Sequence, residues 1–238
     1  MKISNDLAEL IGIILGDGYV HKISDTIVIS GSLDDHEYYE KYILPLIGRL
    51  FTAKGSIYFQ KEKSVCYLAI NSKEAMKIIL DIGLQRGKKN YKMPKSIKKQ
   101  RLYPHILRGL FDTDGSIKFS KQNKKVYYYP RIQFALMPSD ITNFISSMLD
   151  ELGFKYGNWV EDNSRGFKTN SKLEYFHISG NENFERWIRL VGTHNPVNIT
   201  KYMLWKKYGY YITNTDLSYR FKLLGINTEK ALKFSPVV

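Results

Sequence analysis

The sequence predicts an α+β protein in which one α-β-β-α-β-β-α unit occurs twice. Three observations predict it. An apolar run ending in Asp-Gly, LIGIILGDG at residues 10–18, returns as LRGLFDTDG at residues 107–115, with Leu first, Gly third, an aliphatic residue fourth and Asp-Gly last. The two aspartates, Asp17 and Asp114, are 97 positions apart (114 − 17), and the residues after each copy repeat the same pattern of elements, which marks a duplicated structural unit. The chain has 238 residues at 43% hydrophobic content, enough to bury a large core in one or two domains.

The first unit opens on the helix-like run 7–15, interrupted only by Glu9. Two short strand-like runs come next, the first carrying His21 and the second Ser30 and Ser32. After them stand the helix-like EYYEKYILPLIGRLF, strands around SIYF and VCYLAI, and a helix from NSKEAMKIILDIG. The second unit runs in the same order through SIKFS, RIQFALM, DITNFISSMLDELGF, GNWV, EYFHIS and GNENFERWIRLVG. The expected boundaries are 1–95 and 103–212 for the units, with a basic linker at 96–102. Residues 213–238 form an extension with a short helix around LSYRFKLLGI.

The paired motifs resemble those of the LAGLIDADG homing endonucleases in their single-chain, two-motif form. The likeness covers about residues 5–210. GLQRGKKNYKMPKSI at 83–97 looks like the basic segment that ends the first unit in many members, and LRGLFDTDGS is close to the commonest second motif. Leu15 departs from the pattern, since the motif's name spells an acid there. The resemblance implies a pseudo-twofold monomer whose motif helices pack at the centre and whose antiparallel sheets form a saddle on double-stranded DNA. It implies that Asp17 and Asp114 are catalytic and bind metal, helped by the backbone of Gly16 and Thr113. The metal would be Mg2+, with Mn2+ as a substitute and Ca2+ supporting binding without cleavage. Lys89, beside Lys88, would approach the scissile phosphates. In the second unit Asn198 falls at the equivalent place, with Lys201 as a substitute.

The residues themselves support this chemistry. Gly12 and Gly16, like Gly109 and Thr113, are small and spaced i, i+4, which lets two helix backbones approach and brings the aspartates together. Helix C-terminal ends are negative, so two carboxylates there repel unless a proton or cation compensates. A hard divalent ion with oxygen ligands does so and leaves positions for phosphate and water. The resemblance implies that each aspartate would then serve one strand, with metal-activated water as nucleophile. Lys118, Ser120 and Gln122 alternate with Ile117 and Phe119, and Arg131 and Gln133 alternate with Ile132, Phe134 and Leu136. One face is core, and the other presents donors and acceptors suited to base edges in a major groove. Ser30, Ser32, Tyr58, Gln60 and His21 offer the same in the first unit, and Tyr175 and His177 near the end of the second. Tyr127, Tyr128 and Tyr129 brace a sheet edge or stack bases.

Composition agrees with a polyanionic partner: 36 Lys+Arg against 23 Asp+Glu give a net charge of +13 and a pI near 9.5. Charge alone does not separate DNA from RNA or from an acidic membrane surface. The run 7–15 is far shorter than the roughly 18 residues of a membrane span, and MKISNDLAEL reaches an acid too early for a signal peptide. A single cysteine, Cys66, allows no internal disulfide and no cysteine-based metal site. Five histidines without HxxxH spacing argue against zinc, and the lack of GxxxxGK[ST] argues against ATP use. A reducing, cytoplasmic setting is expected, organellar if the gene lies in an organelle's intron. An initial Met without a terminal His-Asn reads as free-standing or intron-encoded, not as an intein. The rival function is an RNA-splicing maturase or a non-cleaving DNA-binding regulator on the same fold.

Overall fold

A computed structural model describes residues 2–87, 92–162 and 172–233. Helix α1 (Asn5–Gly16) starts at Ser4, whose hydroxyl accepts the Leu7 N–H at 3.2 Å, satisfying one of the unpaired first-turn donors. It is buried on all sides from Leu7 to Leu15, as an apolar helix at the centre of a protein must be. Its counterpart α5 (Tyr103–Asp114) begins with Pro104 in the first turn and is buried from Ile106 to Asp112.

These helices lie against each other at their glycines. A Cβ on Gly12 would strike the Ile106 carbonyl oxygen and come within 3.0 Å of the Gly109 Cα. A Cβ on Gly109 would strike the Glu9 carbonyl and lie 2.7 Å from the Ile13 nitrogen. Ile106 stands to Glu9 as Gly109 stands to Gly12, so the two collisions are twofold images of each other.

Each unit carries one four-stranded antiparallel sheet. In the first, β1 (Gly18–Val20), β2 (Thr26–Ser32), β3 (Gly55–Gln60) and β4 (Val65–Asn71) lie in the order β1-β2-β4-β3. In the second, β5 (Gly115–Ser120), β6 (Tyr129–Leu136), β7 (Gly157–Asp162) and β8 (Lys172–Ser179) repeat it as β5-β6-β8-β7. Between each pair of hairpins the chain crosses as a helix: α2 (His36–Tyr38), a π-turn (Tyr39–Ile43) and α3 (Leu44–Leu50) in the first unit, α6 (Asp140–Glu151) in the second. Helices α4 (Lys73–Ile82) and α7 (Asn181–Leu190) close the two units. Alternate strand residues, such as Ile27 and Ile29 or Ile132 and Phe134, are buried in one core shared with both motif helices.

The outer edges of β1 and β5 are covered at equivalent positions. Val20 O accepts the Gly87 N–H at 2.8 Å. Ninety-seven residues on, Asn198 Oδ1 accepts the Ile117 N–H at 3.2 Å and Lys201 Nζ donates to Ile117 O at 3.4 Å, both side chains coming from α8 (Pro196–Tyr208).

Two strand assignments need correction. His21 lies just past β1, where its ring Nδ1 accepts the Ile23 and Ser24 N–H groups and caps the hairpin turn. Gln122 lies past β5 in a left-handed conformation (φ 47°) with its amide on Ser120 Oγ. Polar alternation continued past the end of the ladder in both cases. The extension forms two helices, α9 (Leu217–Leu224) and α10 (Thr228–Lys233). Both pack on α8, and α10 also reaches the π-turn of the first unit. Buried Arg220 anchors α9 through Thr200 Oγ1 at 2.9 Å and Thr215 O at 2.6 Å. No described helix is long and apolar enough to cross a membrane.

Candidate nucleic-acid interface and paired carboxylates

Asp17 and Asp114 stand half-buried at the adjoining ends of α1 and α5. A Cβ on Gly16 would strike Thr113 Oγ1 and come within 3.0 Å of Asp114 Oδ2, so the Asp114 carboxylate lies against the residue preceding Asp17. Thr113 turns its hydroxyl back onto the carbonyls of Gly109 and Leu110, at 3.1 and 3.0 Å. Hard oxygen donors of negative charge at helix C-termini suit a hard cation. Beside Asp114 a cleft of about 600 Å³ opens between Leu15, Gly16, Leu136 and Met137. Lys88 and Lys89 lie outside the described residues. Lys201, under β5, has its amine lowered to about 8 by burial, then by Arg220 and Lys118.

The solvent-facing sheet surfaces carry the other candidates. Ser30 and Ser32 on β2 share the outer face with Tyr58 and Gln60, and Tyr67 lies opposite both Ser30 and Tyr58. On the second sheet Lys118 lies directly opposite Arg131, and Ser116 opposite Gln133, which itself faces His177. Ser120 ends β5 on the same face, opposite Tyr129. Tyr175 and His177 both pack on Trp159, which stacks on the first and meets the second edge-on at 4.3 Å.

Opposed like charges destabilise a ladder, so Lys118 and Arg131 side by side call for an anion. Among the described residues Arg131 Nε and His177 Nε2 are buried with no hydrogen-bond partner. Burial, then the Arg131 charge, lowers His177 to about 4. A buried polar atom without a partner is costly; a phosphate or base edge would accept from Arg131 Nε, and a base edge can pair with His177 Nε2 in either tautomer.

Sequence reasoning missed a buried polar cluster on the seam between the units. Glu9 Oε2 accepts Arg108 Nη2 at 2.8 Å and Nε at 3.0 Å, while Glu9 Oε1 meets His194 Nδ1 at 2.7 Å. Asp112 accepts the Thr193 hydroxyl and the His194 N–H, the latter at 2.7 Å. Asn195 Nδ2 bridges Asp112 O and Asp35 Oδ1, and Tyr42 from the π-turn stacks on His194 at 4.0 Å. Burial would raise Glu9, but the charges and hydrogen bonds of His194 and Arg108 bring it down to about 2. Burial wins at Asp112 and pushes it up to about 7 against His194 and Thr193. Glu9, Asp112 and His194 together have ligand atoms within 4.8 Å of one another. The Arg108, Thr193 and main-chain bonds already occupy the carboxylates, so the cluster reads as an interunit lock. The available signal was three charged residues, Glu9, Arg108 and Asp112, inside otherwise apolar helices.

Comparison with known proteins agrees with this architecture. Residues 102–192 match the LAGLIDADG-like domain family model. An uncharacterised protein of Methanocaldococcus jannaschii is 25% identical over 164 residues, covering 68% of this chain, which spans 60% of that relative's length. Among solved structures, the homing endonuclease I-DmoI in complex with DNA and Mn superposes with a TM-score of 0.53 at 17% identity, covering 80% of this chain and 98% of that one. A K262A mutant of I-SmaMI gives 0.53 at 13% identity, covering 96% and 97%. The N-terminal LAGLIDADG domain of DUF199/WhiA gives 0.50 at 16% identity, covering 79% and 80%. At these identities the likeness is one of fold.

Proposed function

We propose that the chain, whose residues 102–192 match the LAGLIDADG-like domain, is a member of that family with two fused units and acts as a site-specific endonuclease of double-stranded DNA. One observation supports the proposal: the two aspartates stand at abutting helix ends, held by glycine contacts that leave no room for a side chain, in a chain whose two sheets have polar outer faces. It would hydrolyse one phosphodiester on each strand of a long asymmetric target.

Asp17 and Asp114, with the carbonyls of Gly16 and Thr113, would hold Mg2+ or Mn2+. A bound divalent ion there supplies activated water and charge stabilisation at phosphorus. The carboxylates orient it, and the half-buried setting of each excludes bulk water from one side. Lys89 in the first half-site, and Lys201 in the second, would stabilise charge developing on the phosphate. Ser30, Ser32, Tyr58 and Gln60, with Lys118, Ser120, Arg131, Gln133, Tyr175 and His177, would read base edges, and Lys88 would hold backbone phosphate. His21 and Gln122, at the hairpin ends, would contact phosphate more readily than bases.

The test is selection of cleaved sites from a randomised duplex library with Mg2+. Single-turnover cleavage and Ca2+ gel shifts are then measured for wild type, Asp17→Asn and Asp114→Asn. Cleavage should fall by several orders of magnitude in either variant while binding survives. Near wild-type cutting by either variant would remove the paired-aspartate site. Duplex binding without cutting by the wild type would favour a regulator, and preference for structured RNA over every duplex a maturase.

A further inference from the structure

The hairpin after each motif starts at an equivalent point, Gly18 after Asp17 and Gly115 after Asp114. The first closes early: its last ladder pair is Val20↔Ile27. The second continues through Lys118↔Arg131 and Phe119↔Pro130 to Ser120↔Tyr129. Three further residues at about 3.3 Å each carry its tip about 10 Å further from the paired aspartates, the length of about three base pairs at 3.4 Å.

Charge follows the same asymmetry. Residues 18–32 hold one Lys and one Asp, and that Asp25 is paired with Arg86 at 2.7 Å. Residues 115–136 hold four Lys and one Arg with no carboxylate. Three of the lysines, Lys121, Lys124 and Lys125, lie exposed on the tip loop. Lys121 sits over the Tyr127 ring at 5.0 Å and Lys124 over Tyr128 at 4.2 Å, which holds their ammonium groups at the hairpin end.

The extended tip is braced as well. Tyr211 N–H donates to Tyr127 O at 2.8 Å, Trp205 Nε1 donates to Tyr128 O at 2.8 Å, and Tyr211 stacks on Phe119 at 5.0 Å. The end of α8 and the segment after it therefore act as a buttress for the hairpin of one unit.

We infer that the protein contacts its two DNA half-sites unequally: the Lys121–Lys125 tip engages backbone phosphates about three base pairs beyond the reach of the first unit's hairpin. The inference rests on the DNA-binding reading above. Its test is hydroxyl-radical footprinting of the full chain in Ca2+ buffer, on a duplex selected from a randomised library by binding alone. The triple variant Lys121→Ala, Lys124→Ala, Lys125→Ala should lose about three base pairs of protection at one end and none at the other. Its log-log salt slope should become shallower by about 2.7, at about 0.9 for each phosphate no longer neutralised. The corresponding triple Lys→Arg variant should keep the wild-type footprint, and Lys22→Ala should leave the affected end unchanged. A triple Ala variant that binds with an unaltered footprint, or retreats equally at both ends, overturns the inference and leaves the DNA reading intact. A wild type that protects no duplex overturns both.

Discussion

Asp112 is buried on the seam between the units, where a charged carboxylate has to be balanced against desolvation. Its pKa stands near 7 in the folded chain against an ordinary 3.8. Between those values the folded protein keeps a proton that the unfolded chain has released, so stability falls as pH rises through the window. With 3.8 unfolded and 7 folded, the loss between pH 5 and pH 8 is roughly 2.6 kcal/mol. Asp112→Asn fixes the neutral form and can still accept the His194 N–H. Glu9, lowered to about 2, contributes stability that is present above about 4.5 and lost only as pH falls toward 2, outside this range. His105 and His177 are both lowered from 6.5, so their contributions grow as pH rises through about 6.5, but equally in both proteins. Urea unfolding at pH 5, 6.5 and 8 isolates the effect as a difference. The variant's stability relative to wild type should rise by roughly 2.6 kcal/mol from pH 5 to pH 8. Parallel curves would mean that Asp112 is ionised throughout, its hydrogen bonds from Thr193 and His194 outweighing burial.

Three other outcomes rest on named contacts. Gly12→Ala drives a Cβ into the Ile106 carbonyl and should cost about 1–3 kcal/mol as an overpacked contact, read as a lower melting temperature together with reduced cleavage. Glu9→Gln leaves Arg108 buried without its carboxylate and should cost roughly 3–5 kcal/mol in denaturant unfolding at pH 7; a loss below about 1 kcal/mol would show that the ion pair is solvated. Ala substitutions at Lys118, Arg131 or Gln133 should relax preference at one or two base pairs of one half-site, by roughly 1–3 kcal/mol for each bidentate contact. Profiling against single-base-pair variants checks this, and equal weakening on all sequences would assign the three residues to backbone contacts.

The duplicated frame was legible because the signals that encode it are local and occur twice. LIGIILGDG and LRGLFDTDG each specify an apolar helix, a small-residue contact and a terminal acid, and their common spacing predicts the Gly12–Gly109 crossing found in the structure. The strand faces were legible wherever alternation stayed inside a ladder, as at Lys118 and Arg131. Alternation cannot say where a ladder ends, and at His21 and Gln122 the chain had already turned. The seam cluster was illegible for a different reason. His194 meets Glu9 across 185 positions, and no periodicity within either helix indicates which distant loop supplies the partner. The same holds for Arg131 and His177, neighbours only because β6 pairs with β8.

Symmetry in this molecule is kept and broken in places that differ physically. Near the motif helices it is close: Gly12 and Gly109 meet reciprocal carbonyls, and both sheets share one strand order. Two carboxylates can be brought together only if the helices bearing them approach along matched backbone surfaces, since a side chain on either would force the ends apart. Away from that axis the constraint disappears. The π-turn belongs to the first unit, its Tyr42 stacking across the seam on His194 of the second, α8 to α10 follow α7 with no counterpart after α4 among the described residues, and the two hairpins differ in length and charge. A fused chain permits such divergence because each half folds from a distinct sequence, whereas a homodimer would repeat every change on both sides. A palindromic target would gain nothing from unequal hairpins, so on the proposed DNA-binding function their inequality would suit an asymmetric one. Under the proposed function, the matched centre and divergent periphery would answer a single demand, that equal chemistry be delivered to two unequal half-sites.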